Sequence, residues 1–329
     1  MQRTKIIAEI GLLIYPDCQL SAVHGLTDLM RIAGQSMSFA EEDGVPKPEV
    51  RTSHWEASEA GLNCVWDSHP TLPHKITHAL APPSIVMPED MQPMPFAAAW
   101  LKEQHDEGAI VGSICAGAFV LAETGLLAGR RATTHWAFAD VLAHRYPQIE
   151  VAGQNMIIDD GDIITAGGIL AWADLGLVLV EKLLGPTVML ATARFLLIDP
   201  PRRNQSVYEA FVPKLDHADA QVRKVQQIIH SRFAQSISIP ELAEAVDLTD
   251  RTFLRRFYKA TGYKPSEYLQ NVRIMKARDA LELTNRTVDQ IAWEVGYGDT
   301  AAFRKVFAKI TGVAPRFYRQ RFSIAETET

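Results

Sequence analysis

The sequence predicts two domains of different class. Residues 1–199 read as an α/β domain with a mainly parallel sheet between helices, and residues 217–322 as an all-α domain with two helix-turn-helix units. Three observations carry this. Near-continuous apolar runs such as Ile6–Tyr15 and Ala109–Ile114 alternate with helically spaced stretches through the first part of the chain, as strands buried on both faces of a parallel sheet do. From His217 onward the apolar spacing is helical throughout. The charge divides at the same place: Met1–Asp216 holds 15 Lys/Arg against 26 Asp/Glu, and His217–Phe322 holds 18 against 11, so a net −11 precedes a net +7, and Glu326 and Glu328 bring the total to −6. The basic part is matched to a polyanion, and the acidic part to a small ligand or a protein partner.

Composition removes several function classes. With 329 residues and 47% apolar content the chain is long enough for two or more ordinary domains. Three cysteines, Cys18, Cys64 and Cys115, form no disulfide framework and point to a reducing, cytoplasmic compartment. Arg3 and Lys5 precede an apolar run, but no small-residue cleavage site follows and Tyr15-Pro16-Asp17 closes it, so a strand is expected there rather than a signal peptide. No charge-free apolar stretch reaches membrane-spanning length, so no membrane association is expected. There is no phosphate loop or dinucleotide fingerprint, Gly167-Gly168 being too short a signal, and no cofactor is expected. His69, His74 and His78 are not spaced as metal ligands, and no metal is expected.

In chain order, Ile6–Tyr15 is expected to be a central strand and Leu20–Ala33 a helix ending at Gly34. Val50–Trp55 and Leu62–Trp66 are short strands. Seven prolines fall between Pro70 and Pro95, and within that stretch Ser84–Met87 is the expected strand. Phe96–His105 is a helix, Ala109–Ile114 a buried strand, Ala116–Glu123 and Ala139–Tyr146 helices. Asp159-Asp160-Gly161-Asp162 marks a hairpin between Met156–Ile158 and Ile163–Thr165. A helix follows to Leu184, Gly185-Pro186 breaks it, and Thr187–Ile198 is another. The run Asp199-Pro200-Pro201-Arg202-Arg203-Asn204-Gln205 has linker composition, so residues 200–216 are expected to join the domains. Residues 323–329 form a tail.

Within the first domain, the segment GSICAGAFVLAETGLLAGRRATTHW (residues 112–136) has the form of a nucleophile elbow. A strand runs directly into Cys115, a helix starts at Ala116, and small neighbours permit the sharp turn. The helix N-terminus would lower a thiol pKa there. Cys115 is equally the kind of small apolar residue that packs at a strand end. His135 follows twenty residues later, able to face a pocket or to bond within the core, and His24 lies in the connection after the first strand. Trp66 and Trp136 are expected to pack rather than to stack on a ligand.

The last third contains an internal repeat. Leu242-Ala243-x2-Val246 matches Ile291-Ala292-x2-Val295, and Phe253-x3-Phe257-x4-Gly262-x2-Pro265-x2-Tyr268 matches Phe303-x3-Phe307-x4-Gly312-x2-Pro315-x2-Tyr318, with one extra residue in the second turn. Each copy predicts a helix pair, over residues 239–260 and 288–310, whose second helix buries phenylalanines on one side. The other side carries Arg251, Thr252, Arg255 and Arg256 in the first copy and Thr300, Ala301, Arg304 and Lys305 in the second. Short polar and basic groups on one helix face suit a DNA major groove. The helix between the copies, Ser266–Leu283, is about 27 Å long at roughly 1.5 Å per residue, so one chain could set two recognition helices about 34 Å apart, one turn of DNA. The competing assignment is an ordinary helical bundle with solvated faces, which the repeat, the glycine turn and the basic balance together oppose.

Residues 217–322 resemble the DNA-binding domain of AraC/XylS-type transcriptional regulators, whose signature is near-complete in IAWEVGYGDTAAFRKVFAKITGVAPRFYR. The resemblance implies binding to promoter DNA, usually as an activator working with RNA polymerase. It assigns base contacts to Arg251, Arg255, Thr300, Ala301, Arg304 and Lys305, and a phosphate contact to Arg256. Residues 5–198 resemble the ThiJ/PfpI, class I glutamine amidotransferase-like superfamily, which implies a flavodoxin-like fold, and the two domains in this order resemble the GlxA-type regulators. Enzymes of that superfamily join the elbow cysteine and a histidine to an acid from the first strand-helix connection. Cys115 and His135 match, but alignment of YPDCQLSAVHGLTDLMRIAG puts Ala22 at the acid's position, so the dyad is expected to be vestigial and the chain not to be an enzyme. The expected role of the domain is to bind an effector, for which Cys115, Ala116, His135, Ala22 and His24 are the candidate residues. Amine- or amino-acid-derived metabolites are the class known for related regulators. A homodimer is expected. The alternatives are a cysteine-dependent hydrolase or hydratase with a DNA-binding tail, and a first domain that serves only dimerisation.

Overall fold

Strand β1 (Lys5–Ile14) is apolar along almost its whole length and is an interior strand of a seven-stranded sheet. The computed structural model describes residues 5–36, 48–58, 61–201 and 204–325, and it divides into two compact units at Gln205/Ser206. In the first unit β1 is followed by α1 (Leu20–Ser36), β2 (Pro48–Ser58), β3 (Gly61–Asp67), β4 (His78–Ala81), α2 (Pro95–Asp106), β5 (Ile110–Ile114) and α3 (Gly117–Glu123). Then come β6 (Arg131–Ala132), α4 (Ala139–Arg145), β7 (Glu150–Val151), β8 (Ile157–Asp159), β9 (Ile163–Ala166), α5 (Trp172–Leu184) and α6 (Pro186–Leu196).

The five inner strands β2, β1, β4, β5 and β9 pair in parallel, and β3 and β8 are antiparallel edges. The first unit thus has the mainly parallel α/β arrangement that the alternating pattern implies and the flavodoxin-like fold that the resemblance implies. Helices cover both faces, as two neighbouring side chains of β2 make plain. His54 bonds Thr27 of α1 at 2.8 Å, while the ring of Trp55 lies 5.7 Å from that of Trp100 of α2. Adjacent strand residues point to opposite faces, so α1 and α2 flank the sheet from opposite sides.

The proline-rich stretch requires a correction. The strand is His78–Ala81, buried at all four positions, and not Ser84–Met87. Pro82 and Pro83 end the ladder because they supply no N–H, and Ser84 makes only an isolated bridge with Cys18. The two-stranded parallel pair β6–β7 was not foreseen, since two residues per strand leave no periodicity to read.

The second unit is helical: α7 (Ala220–Arg232), α8 (Ile239–Glu244), α9 (Asp250–Thr261), α10 (Pro265–Leu283), α11 (Val288–Glu294), α12 (Thr300–Thr311) and α13 (Pro315–Phe322). It has two cores of like composition. Phe253, Phe257 and Tyr268 fill one, and Phe303, Phe307 and Tyr318 the other. Their ring spacings correspond, 5.6 and 5.4 Å in the first against 5.7 and 5.4 Å in the second.

The segment expected to link the domains is held from both ends. Gln205 is 1% exposed and bonded within the first unit. Arg278 of α10 donates to the carbonyls of Ser206 (3.1 Å) and Glu209, and Val207 is buried in the core formed with Phe303 and Phe307. Arg202 and Arg203 of that segment, and residues 326–329 of the tail, lie outside the described residues.

Candidate DNA interface and the cysteine elbow

Each helix pair of the second unit is fixed by its own caps. Thr249 accepts the Thr252 N–H at the start of α9, and Asp299 accepts those of Ala301 (2.9 Å) and Ala302 (3.2 Å) at the start of α12. Both helices end in a left-handed glycine, Gly262 at φ 78° and Gly312 at φ 77°. The two turns differ. In the first pair Asp247 takes the positive φ of 54°, and in the second Gly296 takes 90°. Gly296 is required twice over, since a Cβ there would also stand 2.5 Å from the Ala234 carbonyl oxygen.

Of the eight residues assigned to DNA contact, Arg251, Arg255, Ala301, Arg304 and Lys305 are exposed, while Thr252, Arg256 and Thr300 are half-buried. The side chains of Arg251, Arg255 and Lys305 have no hydrogen bond or ion pair among the described residues. Arg256 is engaged within the unit: its Nε and Nη2 donate to the two oxygens of Asp219 at 2.8 and 2.7 Å, and its Nη1 to Gln221. Asp219 is also the N-cap of α7, taking the Val222 N–H at 3.1 Å, and Arg256 holds its carboxyl below the usual carboxylate range. Arg256 thus braces α9 against α7. Arg304 pairs with Asp289 at 2.6 Å, both about half exposed; such a pair is worth about 0–1 kcal/mol and is readily exchanged for another anion.

A spacing of fifty superposes the repeat from Phe253 on Phe303, so Arg251, Leu254, Arg255 and Arg256 correspond to Ala301, Arg304, Lys305 and Val306. Val306 packs against its core, as its equivalence to the braced Arg256 explains. Leu254, 39% exposed, is the position on α9 that matches Arg304, and sequence reasoning omitted it. Tyr258 on the same helix is 58% exposed and was also missed. The repeat register was the available signal for the first, since hydrophobicity alone assigns leucine to a core.

In the first unit the chain turns at Cys115 with φ 53°, strained for a residue bearing a side chain, between β5 and α3. The Cys115 N–H donates to the Ala166 carbonyl at 2.7 Å and its carbonyl accepts the Thr134 hydroxyl at 2.7 Å. Gly117 is next to small-residue constraint of its own: a Cβ would lie 2.5 Å from the carbonyl oxygens of Ala81 and Pro82. The elbow geometry is therefore present. Its chemistry differs from what the helix N-terminus alone predicts. Cys115 is 2% exposed, and burial pushes its thiol up to about 12 against the opposing Ala116 N–H. Desolvation of a thiolate outweighs the half-charge of a two-turn helix.

The five candidate ligand residues differ in how far they are buried. Cys115, Ala116 and Ala22 are sealed in the core at 2%, 0% and 0% exposure. His135 is half-buried and bonds elsewhere: its Nδ1 accepts the Ala137 N–H at 3.1 Å, and its ring lies 5.3 and 5.0 Å from those of Trp136 and Phe138. Burial lowers its pKa. His24 is exposed on α1, where it borders a cleft of about 1030 Å³ with Thr27, Asp28, Arg31, His54 and Trp66. Trp66 packs its ring 4.5 Å from that of His54.

The first unit is thus a flavodoxin-like α/β unit, and the second holds two helix-turn-helix pairs. Comparison with known proteins gives the family of each part. Residues 85–182 match the DJ-1/PfpI family and residues 242–321 a helix-turn-helix domain family. The chain is 31% identical over 245 residues to the HTH-type transcriptional regulator CdhR of Pseudomonas aeruginosa, covering 71% of this chain and 66% of that one. It is 27% identical over 217 residues to the HTH-type transcriptional regulator ArgR of the same organism, covering 66% of each. Over 98 residues it is 38% identical to an isonitrile hydratase of Pseudomonas putida, covering 31% of this chain and 40% of that one. The chain thus spans about two thirds of the length of the regulators it matches. Its DJ-1/PfpI-family and helix-turn-helix regions stand in the order that its resemblance to GlxA-type regulators implies. Among the described residues no helix is long and apolar enough to cross a membrane.

Proposed function

We propose that the protein is a sequence-specific DNA-binding transcriptional regulator of the cytoplasm whose two helix-turn-helix units read successive major grooves. The observation that carries this is the duplicated helix pair, each copy capped, separately cored and exposing basic side chains on its second helix. The relatives named as transcriptional regulators support it. Arg251 and Arg255 act in the first groove and Arg304 and Lys305 in the second, with Thr300 and Ala301 at the N-terminal end of α12. The first domain binds a small-molecule effector without turning it over, and the protein acts as a homodimeric activator that engages RNA polymerase.

Selection of genomic fragments on the purified chain tests this. Enriched sites should contain two boxes about 10–10.5 base pairs apart centre to centre, and binding should weaken steeply with salt. Failure to enrich any sequence would remove the regulator assignment. Light scattering at micromolar concentration checks the dimer. The hydratase alternative has the P. putida relative in its favour, but it needs a thiolate, and a sealed thiol pushed up to about 12 opposes it. Under that alternative Cys115→Ala abolishes turnover; under ours it leaves effector-dependent transcription intact.

A further inference from the structure

β3 departs from a regular strand at Val65. Ser53 pairs with Asp67 and Trp55 with Cys64, and the register shifts between His54 and Trp55. Ser53 and Trp55 are two apart and share a face of β2, so their partners Asp67 and Cys64 share it too. In an unbroken strand two residues three apart face opposite ways. The bulge therefore re-aims one of them, a use for which bulges recur.

On that face Cys64 and Asp67 meet His74, from the segment before β4. One donor atom from each, the thiol sulfur, a carboxylate oxygen and an imidazole nitrogen, lie within 4.8 Å of one another. Asp67 Oδ2 stands 3.7 Å from His74 Nε2. The histidine is oriented from behind: its Nδ1 lies 2.7 Å from Glu9 Oε1. Glu9 is 2% exposed, and its carboxylate also takes the Ser53 hydroxyl and the Lys75 N–H, each at 2.8 Å. A carboxylate holding the proton on one ring nitrogen leaves the other nitrogen's lone pair free, which is how metal-binding histidines are held. The local charge agrees. The carboxylates of Glu9 and Asp67 face one guanidinium, Arg51, which lies 3.3 Å from Glu9 and donates twice to Asp67. That leaves a net single negative charge, which a divalent ion bound with a thiolate would bring to zero.

We propose that Cys64, Asp67 and His74 bind a divalent transition-metal ion of the zinc type, with Glu9 as the carboxylate behind His74 and a fourth coordination position open to water. A sulfur, nitrogen and oxygen donor set selects such an ion over magnesium or calcium. Bonds of about 2.0–2.3 Å to a tetrahedral ion set its donors about 3.3–3.8 Å apart, so the three close on it by small side-chain rotations. On binding, the Cys64 thiol gives up its contact with the Trp66 carbonyl (3.3 Å) and loses its proton to solvent. The site is independent of the DNA-binding assignment.

The test uses the tag-free full chain with cobalt(II) as the spectroscopic probe. One cobalt per chain should bind, giving a thiolate-to-cobalt charge-transfer band and the intensified visible bands of tetrahedral cobalt, and zinc(II) should displace it. Cys64→Ser, at a half-buried position, should fold as judged by its metal-free unfolding transition and lose the charge-transfer band. His74→Gln, at a solvent-facing position, should weaken cobalt binding at least tenfold. A missing charge-transfer band in the unaltered chain, the same band in Cys64→Ser, or equal affinity in His74→Gln would overturn the proposal.

Discussion

Replacing Gln205 with alanine tests how the first domain ends. The side chain is 1% exposed. Its Nε2 lies 2.8 Å from the Thr134 carbonyl, 2.9 Å from those of Gly153 and Asn155, and 3.3 Å from the Thr133 hydroxyl, while its Oε1 accepts the Trp136 N–H at 3.1 Å. An amide nitrogen has two hydrogens, so two of its contacts are full bonds at a time, and the Trp136 bond makes a third. At about 0.5–1.5 kcal/mol each, their loss amounts to about 1.5–4.5 kcal/mol, before any cost for the vacated volume. In a domain of this size about 3 kcal/mol lowers Tm by about 6–12 °C. Trp55, Trp66, Trp100, Trp136 and Trp172, five of the chain's six tryptophans, lie in the first unit, so fluorescence-detected melting reads the affected domain directly. Gln205→Glu should lose at least as much at neutral pH, because a carboxylate would face four oxygens with nothing to donate. A shift below about 2 °C for the alanine variant would refute the latch.

Arg251→Ala and Arg304→Ala should each reduce operator discrimination by about 1–3 kcal/mol in fluorescence anisotropy with matched and mismatched sites; unchanged specificity in both would remove the groove assignment. Arg256→Ala should instead lower the melting temperature of the second unit and leave base preference alone, because its partners are Asp219 and Gln221. Alkylation followed by mass spectrometry at pH 8 should modify Cys64 first and Cys115 only on unfolding, since a thiol at about 12 is almost wholly protonated there. The folded pKa of Cys115 lies above its unfolded value, so its contribution to stability is present below about pH 8.5–9 and lost as pH rises beyond it. His54 and His78 are each lowered to about 4 by burial. The unfolded chain takes up those protons first, so stability is full above about pH 6.5 and falls as pH drops toward 4, by up to about 3 kcal/mol per histidine. Urea midpoints of the first unit across that range should fall, and a flat profile would contradict the burial.

Most of the architecture was readable because it rests on long signals. Ile6–Tyr15, the hairpin at Gly161 and the duplicated Phe-x3-Phe pattern each leave a period or a turn signature in the residues. What escaped rests on short or non-local causes. His78–Ala81 is a central strand only because β1 and β5 flank it, and four residues among prolines carry no period. Cys115 was rightly located at a sharp turn, but its ionisation is set by how deeply the surrounding core covers it, which no local pattern encodes. Gln205 looked like linker because its neighbours are prolines and arginines; its carboxamide is satisfied by residues fifty to seventy positions away. Arg256 has outward helical spacing in the sequence, yet Asp219 draws it into the unit's own framework.

The repeat also carries an asymmetry that bears on how the two units share recognition. In register, Arg251 of the first copy corresponds to Ala301 of the second, and Leu254 to Arg304. The first helix therefore places a long unpaired cation near its N-terminus, while the second places a methyl group there and its arginine one turn later, paired with Asp289. An alanine at the groove floor reads shape and thymine methyl groups, whereas an arginine reads guanine. The two half-boxes should then differ in sequence, with a guanine preference at the start of the first and one turn further along the second. Exchanging the two positions, as Arg251→Ala with Ala301→Arg, should exchange that preference between the boxes in a selection experiment. Boxes that kept their original preferences would mean that α9 and α12 do not present equivalent faces to DNA.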